Sequence, residues 1–459
     1  MADRDIVKSL VDVALQKASG RADAAIARAV VYSGTQIRFS ENAIDIANQW
    51  EEQNLDIAVV VDKKRIGVAR VPVRGPDDVR KAVEQVLDFT RKLPESPLFN
   101  GLEDRPSTYG FSDGTVDPRY DSFIEDAPGV VSSAIDAAVQ SGAKRVAGAL
   151  KSERELVYMR SSLGPEGGYE QTRYDLNIRA FQKELDYSGQ GLSCGTMPSQ
   201  DEKLMIEAGR MAGSLSKESV GAVQGKPGTY DLVMSPTVAA NVMASLPMSA
   251  NPFMVLIGLS PLGDRLGQKL APEFVTIDDN GRHPRGIGSR PFDFEGTPTQ
   301  TTRIFDKGVF KSFIHNTSTA KMFDSVSTGN SSLVSLGQGS SMVLPDNTNV
   351  VFENGDHSLE ELLEGSRPTI YVTCNWYTRW QNHLTGEFST IPRDAMFLVE
   401  HGKKTPIKNI RLSDNILRMF ANIVALGDDI RQVLWWEVPG PVFVPSIKVA
   451  DCRITAATK

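Results

Sequence analysis

Apolar residues Ile6, Leu10, Val13 and Ala14 recur at helical spacing behind the capping candidates Asp3 and Asp5, which predicts an opening helix. The pattern then switches to short apolar runs at 24–32, 36–39, 43–47, 56–61 and 65–71. Ser33-Gly34, Glu41-Asn42 and Asp62-Lys63-Lys64 separate these runs with turn chemistry, so an antiparallel meander with hairpin turns is expected. Pro76-Asp77-Asp78 opens a second helix with Val79, Val83, Val86 and Leu87 inward, since a proline in the first turn loses no needed hydrogen bond.

Residues 93–120 carry several prolines and glycines and read as loop. A small-residue helix over 130–140 follows, then strands at 146–150, 155–161 and 174–182, a glycine loop at 189–195, a polar helix from 200 to about 215 and a linker at 221–228. Further on come a strand at 230–234 and a buried helix at 237–246. Lys307-Gly308 marks a hairpin between 303–306 and 309–315, and the Ser/Gly-rich stretch 325–341 reads as a long loop. Strands at 350–352, 369–376 and 395–400, with helices at 359–363 and 415–425, complete the pattern. Strand runs mixed with isolated helices predict an α+β fold. Residues 1–195 are expected to form an N-terminal antiparallel sheet with flanking helices. Residues 196–228 supply a helix and linker, and 229–459 a β-rich, barrel- or sandwich-like domain.

Composition narrows the class. A chain of 459 residues, 41% hydrophobic and 23% charged, fits two or three globular domains and excludes a disordered or fibrous protein. Fifty Lys and Arg against 57 Asp and Glu leave a net charge of −7, with no global pull toward nucleic acid or anionic lipid. The densest basic cluster, Lys63-Lys64-Arg65, reads as a hairpin tip. The longest apolar stretch, 252–262, is interrupted by Gly258, Ser260 and Pro261, so no membrane span is expected. Charges at the start leave no apolar core for an export signal. Three scattered cysteines, Cys194, Cys374 and Cys452, argue against a disulfide framework, and a cytoplasmic location is expected.

Local motifs for chemistry are sparse. The five histidines, His283, His315, His357, His383 and His401, never fall within five residues of one another, and no His-Glu-x-x-His or Cys-x-x-Cys occurs. Gly189, Gly191 and Gly195 miss the dinucleotide-binding spacing by one residue, and no phosphate-binding loop is present. Cys374 with His383 is the nearest nucleophile–base pairing, if a hairpin folds them together; a small buried thiol is the plainer reading. Asp278-Asp279-Asn280-Gly281 and the segment from Asp113 to Asp117 have calcium-loop residue types without the closing glutamate, and read as Asx turns. Trp376, Tyr377 and Trp380 cluster beside Cys374, with Trp435 and Trp436 farther on. On a regular strand Trp376 and Trp380 share one face and Tyr377 takes the other. With Tyr371 they are candidates for contact with an extended peptide or a partner.

Ordered segments along most of the chain carry a resemblance. They include Thr35-Gln-Ile-Arg-Phe-Ser40, Tyr230-Asp-Leu-Val-Met-Ser-Pro236 and Leu262-Gly-Asp-Arg-Leu-Gly267. Phe292-Asp-Phe-Glu-Gly296, Ser327-Thr-Gly-Asn330, Thr385-Gly-Glu-Phe-Ser389 and Met419-Phe-Ala-Asn-Ile-Val424 follow in order. On these the chain resembles the TldD/PmbA family, most closely its PmbA (TldE) branch. The resemblance implies a metalloprotease-like C-terminal domain. It also implies that TldD-type subunits hold zinc with two helix histidines and a downstream cysteine, with a glutamate as base. In this chain the corresponding helix, 237–246, reads TVAANVMASL, and the cysteine position falls in 434–438, LWWEV. Neither segment supplies the ligands. The resemblance therefore implies no catalytic residue, metal or cofactor in this chain, and zinc in a TldD-like partner. The two would form a heterodimer enclosing a chamber for unfolded peptides, with Met243, Leu246 and Met248 filling the space beside the helix. Two other readings stay open: a self-sufficient peptide hydrolase using Cys374 and His383 or an unconventional metal set, and a homodimeric peptide-binding or scaffold protein.

Overall fold

The computed structural model describes residues 4–456 apart from 113–114 and 338–339. The capping candidate Asp3, and Asp113 and Gly114 of the second calcium-loop candidate, lie outside the described residues.

Two long strands, Ala24–Ser40 and Ala43–Val61, form the spine of the first sheet. Glu41 and Asn42 join them at φ 48° and 67°, the paired left-handed geometry that matches the twist of a hairpin. Ser33-Gly34 is not the expected turn. Gly34 pairs with Trp50 across the ladder, and a Cβ on Gly34 would lie 2.3 Å from the Trp50 ring, so the glycine seats an indole. The sheet runs in the order Arg65–Pro72, Ala43–Val61, Ala24–Ser40, Arg145–Ser161, Glu166–Phe181, Thr108–Ser112, and Ser188–Gly195 also pairs with Glu166–Phe181.

Strand alternation gives this sheet two covered faces. Ala25, Ala27, Ala29 and Val31 meet the helices Arg4–Ala18 and Pro76–Thr90. Farther along, Ile37 and Phe39 meet the helices Tyr120–Gln140 and Glu202–Glu218. The first of these begins ahead of the expected segment because Pro128-Gly129, which looks like a breaker, is absorbed inside it. The expected glycine loop at 189–195 is an edge strand beneath the second helix. A Cβ on Gly191 would sit 1.9 Å from the Ala208 carbonyl oxygen, so these glycines let helix backbone rest on strand backbone.

The opposite face, with Ile26, Val30, Val157 and Met159, packs on Phe292 and Phe294 from the second half of the chain. This explains the Phe-Asp-Phe-Glu-Gly motif. Its phenylalanines enter the sheet while its acids turn back onto backbone. Asp293 accepts from the N–H groups of Glu295 and Thr297, both at 2.9 Å, and from that of Ser331 at 2.8 Å. Glu295 accepts from Glu103 N–H at 3.0 Å, tying the halves together. Burial and repulsion from Glu295 push Asp293 up to about 8, and burial, with the Glu103 carboxylate nearby, raises Glu295, whereas hydrogen bonds from Arg105 hold the Glu103 carboxyl down to about 2.

In the second half, Thr369–Asn382, Gly228–Met234, Ile447–Ala456, Ile410–Asn415 and Glu387–Glu400 pair in sequence, and the last closes back on the first as a barrel. A six-stranded sheet that includes Thr301–Asp306, Ile277–Asn280 and Val438–Val444 packs beside it around Met234, Met243, Phe305 and Phe420. The fold is mixed α+β with a β-rich, barrel-containing second half. Three local expectations change. Within 221–228, Val223–Gln224 pairs with Lys403–Lys408. Within 325–341, Ser331–Gly337 pairs with Ser340–Pro345 as a ribbon whose Leu333 reaches the first sheet. The helix expected over 415–425 stops at Ala421, and the chain turns into strand Ile423–Leu426.

Candidate functional site

The helix Pro236–Val242 leaves the barrel directly after strand Gly228–Met234. Val238, Ala239, Ala240 and Val242 are buried, as are Met243 and Leu246 beyond it. Asn241 is its polar exception. The amide nitrogen donates to the Glu437 carbonyl at 2.5 Å, and its oxygen accepts from Asn375 Nδ2 at 2.6 Å and Thr378 Oγ1 at 2.5 Å. Asn375 Nδ2 also donates to Thr390 Oγ1 at 2.8 Å. This network fastens the helix to the barrel hairpin formed by strands Thr369–Asn382 and Glu387–Glu400.

That hairpin is irregular at the site. Trp376 pairs with Ile391 but Arg379 with Ser389, so the first strand carries an extra residue, and Tyr377 adopts φ 56°. The Glu437 carboxylate holds the bulge, accepting from Tyr377 N–H at 2.9 Å and Thr378 N–H at 3.5 Å. A bulge reverses strand alternation, which corrects the expectation that Trp376 and Trp380 share a face. Thr378 and Trp380 line a cleft of about 340 Å³ together with Met248, Met254 and Leu259, with Asn241, Ser245, His383 and Glu437 supplying polar groups. Trp376 lines a different groove, packed edge-on to Trp436 at 5.5 Å.

Two candidates lie elsewhere. Tyr371 is 9% exposed and stacks on Phe397 at 6.3 Å inside the barrel wall, its hydroxyl pushed up to about 12 by burial. Cys374 is fully buried with Sγ 2.7 Å from Gln190 Oε1, and burial pushes its thiol well up. His383 sits past the far end of the same strand, exposed and stacked on Trp380 at 5.4 Å. Nine residues of extended chain span about 30 Å. The structure does not bring Cys374 and His383 together.

In TldD-type subunits the resemblance places zinc in the region of this cleft. Such a site needs three or four converging nitrogen, sulfur or carboxylate ligands. Among the described residues no three His, Cys, Asp or Glu side chains converge. The helix offers the Asn241 amide and the short helix after it, Ser245–Met248, a hydroxyl from Ser245; 434–438 forms a strand connection in which Glu437 is engaged by backbone. This donor set does not fit zinc. The calcium-loop candidates act as staples. Buried Asp279 accepts from Thr348 N–H at 2.8 Å, Thr348 Oγ1 at 2.7 Å and Asn330 Nδ2 at 2.8 Å, while Asp117 accepts from Ser199 N–H at 2.7 Å.

The second half of the chain matches the family model described as the PmbA/TldA metallopeptidase C-terminal domain over residues 227–456. Among curated relatives, "Metalloprotease PmbA" of Escherichia coli O157:H7 is 26% identical, covering 98% of this chain and 97% of the relative. A "Metalloprotease PmbA homolog" of Buchnera aphidicola is 29% identical over 36% of this chain and 34% of its own length. The crystal structure of TldE from Thermococcus kodakarensis superposes with a TM-score of 0.82 at 19% identity, covering 98% of this chain and 99% of that one, which shows a shared fold. With the family model matched from Lys226's neighbour onward through both packed sheets of the second half, the chain belongs to the TldD/PmbA metallopeptidase family.

Proposed function

We propose that this chain is a non-catalytic subunit of a TldD/TldE-type metallopeptidase complex, helping to enclose the chamber in which a zinc-bearing, TldD-like partner cleaves unfolded peptides. One observation carries the reading. The helix Pro236–Val242 and the Trp436-Glu437 connection meet at one cleft, yet they meet through Asn241 and Glu437 hydrogen bonds rather than metal ligands. Amides and hydroxyls already bonded to one another do not lower the pKa of water as a zinc ion does. The methionine, leucine and tryptophan walls of the cleft suit an apolar side chain of an extended peptide.

The test is to purify the tagged chain from its own cells, identify its companions by mass, and assay peptide cleavage by the complex and by the chain alone. Association with a relative that carries the His-Glu helix, and cleavage by the complex alone, is the expected result. Chelator-sensitive cleavage by the isolated chain would overturn the reading.

A further inference from the structure

We propose that the surface around Trp376, Tyr377 and Trp436 docks an acidic stretch of extended peptide. Trp436 is 61% exposed and Tyr377 43%, and the two pack edge-on at 6.4 Å. Arg393 lies over both Trp376, at 5.1 Å, and Tyr377, at 5.8 Å; Arg379 lies over Tyr377 at 5.7 Å and donates to the Thr378 carbonyl. Beyond Trp376 runs a groove of about 570 Å³ walled by the two tryptophans, with exposed Arg38 on its far side.

The three guanidinium groups of Arg38, Arg379 and Arg393 have no carboxylate partner among the described residues. Elsewhere arginines are routinely neutralised, as Arg28 and Arg70 are by Asp56, Arg154 by Glu170 and Arg418 by Asp414. A guanidinium stacked on an aromatic ring keeps its edge N–H donors free, in the fork geometry that fits a carboxylate. Tryptophan, tyrosine and arginine together are also the residues that dominate binding energy at protein interfaces.

Charge complementarity selects an anionic ligand, and the surroundings select a peptide. Asp45 lines the groove and Glu437 borders the bulge, so a continuous polyphosphate would pass two carboxylates in a chain of net charge −7. A peptide places one or two carboxylates at the arginines and an apolar residue against the rings. This assignment deepens the subunit reading and rests on it for the ligand being a peptide bound for cleavage.

The experiment measures fluorescence anisotropy of the full chain with a labelled unstructured peptide containing Asp and Glu around a leucine. Its Lys-substituted counterpart and a single-stranded oligonucleotide are measured alongside. A charge-assisted hydrogen bond is worth enough for about a tenfold preference for the acidic peptide, weakening as salt rises. Arg38→Glu with Arg393→Glu should abolish that preference while Trp436→Ala weakens both peptides; Arg393→Gln serves if the double variant unfolds. Failure to bind the acidic peptide, equal binding of the Lys peptide, tighter binding of the oligonucleotide, or a preference surviving the arginine changes would each overturn the proposal. None of these outcomes alters which subunit co-purifies, so failure here is separable from failure of the subunit reading.

Discussion

Removing the Glu437 carboxylate should loosen the bulge at Tyr377 before anything else in the barrel. The side chain accepts a well-placed hydrogen bond from Tyr377 N–H at 2.9 Å and a longer one from Thr378 N–H at 3.5 Å. It does so where Tyr377 sits at φ 56°, a conformation that costs a non-glycine residue about 1 kcal/mol. A hydrogen bond to a charged group contributes about 1.5–3 kcal/mol, and the half-buried position of Glu437 favours the lower end. Glu437→Ala should therefore cost about 2 kcal/mol, and Glu437→Gln, whose amide oxygen still accepts, about half of that. Urea denaturation reads the total. Hydrogen exchange reads its location: in the alanine variant the Tyr377 and Thr378 amides should exchange roughly thirtyfold faster, with the opposite barrel strands unchanged. Equal losses for Ala and Gln, or unchanged exchange at both amides, would refute the assignment of the carboxylate as the bulge's clamp.

Other expectations follow from the same geometry. Gly191→Ala drives a Cβ to within 1.9 Å of the Ala208 carbonyl oxygen and should lower the unfolding free energy read by urea denaturation by about 1–3 kcal/mol, whereas Gly75→Ala, with open space and extended backbone, should be near neutral. Because Asp293 and Glu295 are raised, with Asp293 at about 8, the folded protein binds more protons than the unfolded chain above the ordinary carboxylate range. Stability from this pair is thus lost as pH rises toward 8. Glu295→Gln should flatten that decline, and a constant difference between wild type and variant across the range would contradict it. Cys374→Ala should cost about 1 kcal/mol through the lost Gln190 contact and leave partner-dependent peptide cleavage unchanged in a fluorogenic peptide assay.

Local chemistry was readable wherever its cause is local. Glu41-Asn42 and Lys307-Gly308 announce their turns because left-handed pairs are made by those residue types, and both adopt them. Gly34 and Gly191 were misread because their reasons are distant: one lies under Trp50, the other under Ala208. The pairing of Ser331–Gly337 with Ser340–Pro345 hid in serine-rich composition that reads as loop. At the site, the aromatic cluster was visible but its faces were not. The bulge that separates Trp376 from Trp380 is held by Glu437, sixty positions from Tyr377, and Asn241 finds its partner 134 positions away at Asn375. No spacing rule reaches that far. The resemblance did point to the two segments that meet there, without revealing what they exchange in place of ligands.

Elemental analysis of the purified chain, separated from any companion and dialysed against trace zinc, probes the central claim most directly. A cleft built from Asn241, Ser245, Thr378 and Glu437 predicts no stoichiometric zinc. One tightly held zinc per chain, lost together with peptide cleavage on chelation, would contradict the account.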